Sequence, residues 1–425
     1  MPENEAFLRM ILDHPEDDGP RLVYADWFEE QGDTARAELI RVQIEMTQTA
    51  DRYGQRWHKL RSRQDTLLKT HKKTWTLPFK GKAPFVRLER GFVEEITIHA
   101  RRLFKTADEL FALAPIRAVK FVSLMAVGKE VSITDLAIQP VLGRLQALDL
   151  DGSELTDDDL RVLLASPHLS KLQSLNLSRN RLSPAGIRDL LASPALPALR
   201  ELILTGFSFG ANSLGDEGLR VLAGSPGLAR LKSLTFAMND LVPIRESAVL
   251  ELVRSLYSAN LEELNLTDCS SISGVTLAAF AESDRWSKLE KLNLNGSMVD
   301  DAGLTALIKS PKFTRLRWLG LGRKSNFLSQ LRDTGARITD VGVKAMTGAS
   351  HVPLRVLDLS NHDVTEAGAE AFMQAEHLNK LGHLNLKGTL INDWKRLRKH
   401  FGTGVCELGK RSGPFGLAIG GPALA

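Results

Sequence analysis

The chain reads as α/β: a solenoid with a curved parallel sheet inside and helices outside, preceded by a small all-α head. Three observations point there. The pattern L-x-x-L-x-L recurs, plainest at Leu172-Gln173-Ser174-Leu175-Asn176-Leu177 and at Leu289-Glu290-Lys291-Leu292-Asn293-Leu294. Each copy is followed by a polar loop and then an apolar run with helical spacing. At 425 residues the chain is far longer than a usual single core of ~100–200 residues, and the recurrence favours growth by repetition.

The head, residues 1–50, lacks the recurring pattern. Glu5 to Leu12 carries Phe7, Leu8 and Ile11 on one helical face. His14-Pro15-Glu16-Asp17-Asp18-Gly19-Pro20 breaks that helix, because Pro and Gly interrupt regular structure. A second helix spans Arg21 to Gln31 and stops at Gly32. A third runs from about Ala35 to Met46, with Leu39, Ile40 and Ile44 as its stripe. Tyr24 and Trp27, three apart, read as core of this head. Glu16, Asp17 and Asp18 precede a helix N-terminus, where negative charge is favoured, and with Asp26 they are not expected to hold a metal.

The run H-P-E-D-D-G-P-R-L-V-Y-A-D-W-F-E-E-Q-G-D, residues 14–33, followed by A-E-L-I-R-V-Q, residues 37–43, resembles the repeat-companion domain. That module stands ahead of repeat arrays in certain bacterial proteins. The resemblance covers residues 4–46 and departs at Gly19 and at Ala37-Glu38-Leu39. It implies a bacterial protein and an architecture, and brings no mechanism.

Charge is strongly polarised. Residues 1–50 carry 12 acidic and 4 basic side chains, residues 51–105 carry 5 and 15, and the remaining 320 carry 34 and 36. The simplest partner for the acidic head is the basic segment that follows it. This connector, 51–86, interleaves Arg52, Arg56, Lys59, Arg61, Arg63, Lys69, Lys72 and Lys73 with Tyr53, Trp57, Leu60, Leu67, Leu68 and Trp75. The expectation is an amphipathic helix packed on the head or the first repeat. Nucleic acid or an anionic surface, held through residues 52–82, is the alternative such a mixture offers.

Eleven copies make the array, 87–409. They start at Val93, Ile116, Leu145, Leu172, Leu199, Leu231, Leu261, Leu289, Leu316, Leu354 and Leu381, and Val405-Cys406-Glu407-Leu408 reads as a capping strand. The last two apolar residues of each copy point inward and the residues between them outward, because side chains alternate along a strand. Thr156-Asp157-Asp158-Asp159 and Thr339-Asp340 are N-cap signals, Ser183-Pro184 puts Pro at a first helical position, and Thr106-Ala107-Asp108-Glu109 reads as a capping box. Ser166-Pro167, Ser193-Pro194, Ser225-Pro226 and Ser310-Pro311 stop helices. Residues 410–425 are expected to form a flexible tail.

Repeats of this length with a strand and a full helix resemble leucine-rich repeats, specifically the ribonuclease-inhibitor-like branch. The resemblance implies a leucine-rich repeat solenoid and places a loop-bonding side chain three positions after each strand's last apolar residue. Those positions hold Ser153, Asn180, Asn239, Cys269, Ser297 and Thr389, so Cys269 has a structural reading; Cys406 reads as buried in the cap.

The outward strand positions are small and polar, with Trp318 the one large aromatic. Two steps are long: 32 residues from Leu199 to Leu231 and 38 from Leu316 to Leu354. Both extra stretches fall between strand and helix, roughly 20 Å apart at about 4.8 Å per strand. The expected contact site is Trp318 with Phe207 and Phe209 from the first stretch and Arg323, Lys324, Phe327, Arg332 and Arg337 from the second.

No nucleotide-binding glycine motif and no nucleophile–histidine spacing appears. Catalytic residues, cofactors and metals are therefore not expected. Two cysteines, an acidic N-terminus and no apolar run of about 20 residues suggest a cytoplasmic protein outside the membrane. The functional expectation is a monomeric, non-enzymatic scaffold that binds a protein through the concave face and rim loops. A regulator of an enzyme, either a GTPase activator or an inhibitor, is the second reading.

Overall fold

The structure is a computed structural model and describes residues 3–52, 54–122, 131–206, 212–237, 244–324, 335–402 and 405–408. It comprises two compact units. One runs to Leu214 and includes Ser225–Leu231; the other takes Gly215–Gly224 and the chain from Lys232 on.

The first unit opens with α1 (Glu3–Asp13), α2 (Gly19–Glu30) and α3 (Thr34–Gln48). Their apolar faces meet in a core of Ile11, Tyr24, Ala25, Ala37, Ile40 and Ile44, and that core is completed by Phe92 from the first repeat. Tyr24 stacks on Phe28 at 4.3 Å and on Phe92 at 5.8 Å between ring centroids. A connector helix, α4 (Gln55–Trp75), lays Leu67 against α3.

A hairpin absent from the sequence expectations follows. Strand β1 (Phe85–Glu89) runs antiparallel to β2 (Phe92–Ile98). Between them Arg90 and Gly91 have φ of 47° and 86°, the positive values a tight two-residue hairpin turn needs. Gly91 is required twice over, because a Cβ there would lie 2.1 Å from Cγ1 of Ile40. Gln43 of α3 ties the pieces together. Its Oε1 accepts from Gly91 N at 2.7 Å, and its Nε2 donates to the Leu88 carbonyl at 2.8 Å and to Gln64 of α4 at 2.9 Å.

The acidic head has two sets of partners. Arg56 and Arg63 of α4 pair with Glu45 and Glu38, as the charge pattern suggests. The His14–Asp18 turn instead meets the repeats: Arg90 donates to the Pro15 carbonyl at 2.8 Å and lies 3.2 Å from Asp18. Behind it sits Glu94, 1% exposed, ringed by Arg21 at 2.9 Å, Arg90 at 3.0 Å and Arg117. Burial raises the Glu94 carboxyl and lowers the Arg21 guanidinium; the three arginines oppose the first shift.

Parallel strands then continue in register: β3 (Ala118–Phe121), β4 (Ala147–Asp149), β5 (Ser174–Asn176) and β6 (Glu201–Ile203). Leu148, Leu175 and Leu202 stand opposite one another and are fully buried, worth about 1.5–3 kcal/mol each. Helices α5 (Ala100–Leu113), α6 (Ile133–Ala137), α7 (Asp157–Leu164) and α8 (Pro184–Ala192) back them. The capping box read at Thr106 is corrected: α5 begins at Ala100, and the Thr106 hydroxyl donates back to the Arg102 carbonyl at 2.9 Å. The capping box at Thr156 and Asp159 and the Ser183-Pro184 start are present.

The second unit repeats the scheme. Its helices are α9 (Gly215–Gly224), α10 (Glu246–Arg254), α11 (Gly274–Glu282), α12 (Asp301–Lys309), α13 (Asp340–Thr347), α14 (Glu366–Gln374) and α15 (Trp394–Phe401). Its parallel strands are β7 (Ser233–Thr235), β8 (Glu263–Asn265), β9 (Lys291–Asn293), β10 (Trp318–Gly320), β11 (Val356–Asp358), β12 (His383–Asn385) and the capping strand β13 (Cys406–Glu407).

Side-chain ladders knit successive repeats. At helix starts, Asp301 accepts from Thr339 N and Gly342 N, both at 2.8 Å, and Asp340 accepts from Thr365 N at 2.8 Å. At helix ends, the serine before the turn donates to the preceding repeat: Ser255 to the Ala223 carbonyl at 2.6 Å and Ser310 to Ala281 at 3.0 Å. The stop serines therefore also satisfy carbonyls that a helix end leaves open.

The loop ladder is partly as expected. Asn180 accepts from Leu155 N at 2.9 Å and donates to the Leu150 carbonyl at 3.0 Å. Cys269 donates to the Phe236 carbonyl at 3.7 Å, and Thr389 to its own Leu386 carbonyl at 2.8 Å. Ser153 and Ser297 do not bond the loop: their hydroxyls are buried without a hydrogen-bond partner. Asn239 lies outside the described residues. Two members were not foreseen. Asn212 bonds Leu182 N and the Leu177 carbonyl, both at 2.9 Å, from a position displaced by the long step. His362 accepts from Ile338 N at 3.0 Å through Nδ1 and donates to the Leu321 carbonyl at 2.8 Å through Nε2.

Candidate functional site

The open face of each sheet, turned away from the helices, divides into columns. Most of the middle column serves the backbone. Asp149, Asn176, Asn265, Asn293, Asp358 and Asn385 each accept from the main-chain N–H two residues on, at 2.9–3.1 Å. Such short turns end the strands and hold these side chains against the sheet. What remains for a partner is the first column and the residues just beyond the strands.

In the second unit the first column builds a row across three strands. Lys291 lies 3.9 Å from Glu263 and extends its ammonium over the Trp318 ring, 5.4 Å from the centroid. Trp318 is half-buried, with its ring edge resting over Gly320, where a Cβ would come within 2.5 Å of the indole. Beside it, Asn295 accepts from Gly322 N at 2.7 Å and donates to Asp358 at 3.2 Å, spanning the side-chain-free Gly322. Trp318 thus stands above a floor of two glycines and short polar groups.

The other expected contact residues fall differently. Arg323 turns inward: it is 9% exposed, and its guanidinium donates to the Ala336 carbonyl while its N–H bonds Ser360 O at 2.9 Å. Lys324 lies 3.1 Å from Asp268, beyond the end of β8. Arg337 lies 3.6 Å from Asp363. Phe207, Phe209, Phe327 and Arg332 lie outside the described residues, as does the 410–425 tail.

In the first unit the open face carries Phe85, 70% exposed and paired across the hairpin with Thr97. Sequence reasoning missed it because 51–86 reads as connector. The alternation in Phe85-Val86-Arg87-Leu88-Glu89 was the available signal. A groove of about 650 Å³ opens elsewhere in this unit, between the His14–Asp17 turn and Arg117, Gln146 and Gln173. Glu16 crosses it, accepting from the Gln146 amide at 2.5 Å and lying 3.5 Å from Arg117.

Both cysteines are buried, and burial pushes the Cys406 thiol up to about 11. Among the described residues no group of three or more His, Cys, Asp or Glu side chains converges as a metal site requires. No helix of the described residues is long and apolar enough to cross a membrane.

A leucine-rich repeat family model matches residues 168–191 and 351–373. No curated protein matches the chain. Among solved structures, the chain is similar to an internalin (inlF) of Listeria monocytogenes, at 16% identity over 70% of this chain and 78% of that one, with a TM-score of 0.36. It is also similar to a chain of the yeast Rad7–Elc1 complex, at 16% identity over 73% and 86%, TM-score 0.40. A protein of Bacteroides fragilis is similar at 16% identity over 73% and 80%, TM-score 0.37. The matched segments are two of the strand–turn–helix units described above, and the other units continue their register: the chain has the leucine-rich repeat fold.

Proposed function

We propose that this chain is a protein-interaction scaffold that seats its partner on the open strand face of the second unit. The observation that carries this reading is the Glu263–Lys291–Trp318 row. Interface energy concentrates in a few anchors, with Trp prominent among them, surrounded by contacts that exclude water. Trp318 offers that anchor on a wall of small side chains. Lys324, past the far end of β10, and Arg337, before α13, extend the reading along the loop side, with Phe327 and Arg332 joining on sequence alone; Phe207 and Phe209 belong to the corresponding stretch after β6. Arg323 supports the site from within, by tying Ala336 to its own strand end.

Support for the head as a built-in cap comes from Phe92, which finishes the head's core. That reading agrees with the repeat-companion resemblance and with the need of a repeat array for a closed end.

Affinity purification with mass spectrometry, parent against W318A, tests the surface. The expected outcome is loss of a specific partner by W318A, at unchanged circular dichroism and melting temperature. A partner captured equally by both would move the site elsewhere. Turnover assays on the captured protein, with and without this chain, separate a plain scaffold from a regulator of an enzyme.

A further inference from the structure

The basic connector is only half neutralised by the fold. Along α4 the helix edge facing α3 is answered, by Glu45 for Arg56 and Glu38 for Arg63. Asp65, the helix's one acidic residue, pairs with Arg61 at 3.3 Å. The adjoining, solvent-facing side is different. Lys59, Ser62, Thr66, Lys69 and Lys73 follow one another at spacings of three and four residues, which puts them on one face, and all five are exposed. Among the described residues no carboxylate pairs with Lys59, Lys69 or Lys73, nor with the exposed Lys72 and Lys80 that flank the C-terminal end. The hydroxyls add no charge; Thr66 donates back to the Ser62 carbonyl at 2.9 Å and Thr70 to Thr66 at 3.2 Å.

We infer that this face of α4 is a docking surface for the phosphate backbone of a nucleic-acid duplex. Three features select that occupant. The ligand must be anionic, since every uncommitted charge on the face is positive. It must be recognised without base stacking, because the two indoles of α4, Trp57 and Trp75, lie on the other side of the helix from the lysine row. Trp75 lies between His71, at 5.0 Å, and the Arg36 guanidinium, at 5.1 Å, and Trp57 is half-buried. A single strand would ask for an exposed aromatic platform. An anionic bilayer would ask for an apolar side free to enter lipid. That side of α4 is spent, with Leu67 4% exposed against α3. What is left is a straight row of ammonium groups. Lys59 to Lys73 spans 14 residues, about 21 Å at 1.5 Å per residue, which matches about six steps of a duplex strand at 3.4 Å each. Contacts of this kind position a protein on a duplex and carry no sequence preference.

The test is fluorescence anisotropy of a labelled mixed-sequence 20-base-pair duplex, titrated with the full chain between 50 and 200 mM salt. Three lysine–phosphate contacts predict a log–log slope of about −2.7, which is about a 40-fold loss of affinity across that range. The K59Q/K69Q/K73Q variant should flatten the slope by about 0.9 for each lysine removed. K344Q/K395Q/K399Q, which removes as many exposed lysines including two from basic α15, should bind as the parent does. All six positions are exposed, so melting temperature should hold in both variants. Absence of binding at 50 mM salt overturns the inference, as does a K59Q/K69Q/K73Q variant that binds like the parent. Tighter binding to phosphatidylserine vesicles, abolished by the same three substitutions, would assign the face to lipid and overturn it equally.

Discussion

At Gly342 the usual sign of a helix glycine is reversed. An interior Gly costs a helix about 0.8–1 kcal/mol relative to Ala, so Gly→Ala normally stabilises. A Cβ at Gly342 would lie 2.5 Å from Oδ1 of Asp301. That carboxylate cannot step aside cheaply, because it holds Thr339 N and Gly342 N, both at 2.8 Å, and the Thr339 hydroxyl at 2.6 Å. G342A is therefore expected to destabilise by about 1–3 kcal/mol in chemical denaturation. G224A, where a Cβ meets nothing within 4 Å, should be neutral or stabilising. Equal effects of the two substitutions would remove the helix-start ladder from the account. The same scale explains His362 and Asn212. Neither residue stands out in sequence, because what the loop requires is a donor and an acceptor spanning two backbone groups. Asparagine meets that at Asn180 and Asn212, and a neutral imidazole meets it at His362.

Among the elements, the β1–β2 hairpin decides how the head is held. Its turn presents Arg90 to the His14–Asp18 loop and Gly91 to Ile40, while its second strand brings Glu94 under Arg21. A buried ion pair adds little net stability, since desolvation offsets attraction, yet breaking it strands a charge. Glu94 is 1% exposed and Arg21 0%. E94Q should accordingly lower stability by about 3–5 kcal/mol, read as a shift in the urea midpoint. A loss below about 1 kcal/mol would mean that the Asp17 carbonyl, 2.9 Å from Arg21, satisfies the guanidinium by itself. The hairpin escaped the sequence reading for a physical reason. Phe85-Val86-Arg87-Leu88-Glu89 is a short edge strand, and its alternation follows directly on a helix and a Pro-containing turn that read as one connector.

For the molecule as a whole, growth by repetition makes the ends the vulnerable places, because an inner repeat is covered on both sides. In the first unit the head supplies the missing neighbour. Deleting residues 1–50 would uncover Phe92 and strip Gln43 from the hairpin, removing about 3–5 kcal/mol. For a unit of this size that corresponds to a fall of roughly 10 °C in melting temperature by calorimetry. An unchanged transition would show the head to be a passenger.

Much of this architecture was legible beforehand. The steps of 27, 27, 30, 28 and 27 residues that begin at Leu145, Leu172, Leu231, Leu261 and Leu289 state the strand-and-helix period outright. Leucines repeating at that interval have one common solution, in which each unit buries its face against the next. The outward placing of Trp318 on a recurring strand was legible too, whereas that of Phe85 on β1 was not. The fate of the charges was not. Arg323 and Lys324 are neighbours in sequence, yet one is buried against the Ala336 carbonyl and the other reaches Asp268. Of the basic residues in α4, those at its edge are neutralised by α3 and those on its outer face are not. Sequence by itself determined the period, the alternation of strand and helix in the recurring units and the inward leucines, since these depend on spacing along the chain. Only the tertiary structure decided which polar groups are consumed in holding repeats together and which stay open to a partner, because that depends on groups 25 to 75 residues apart meeting within 3 Å.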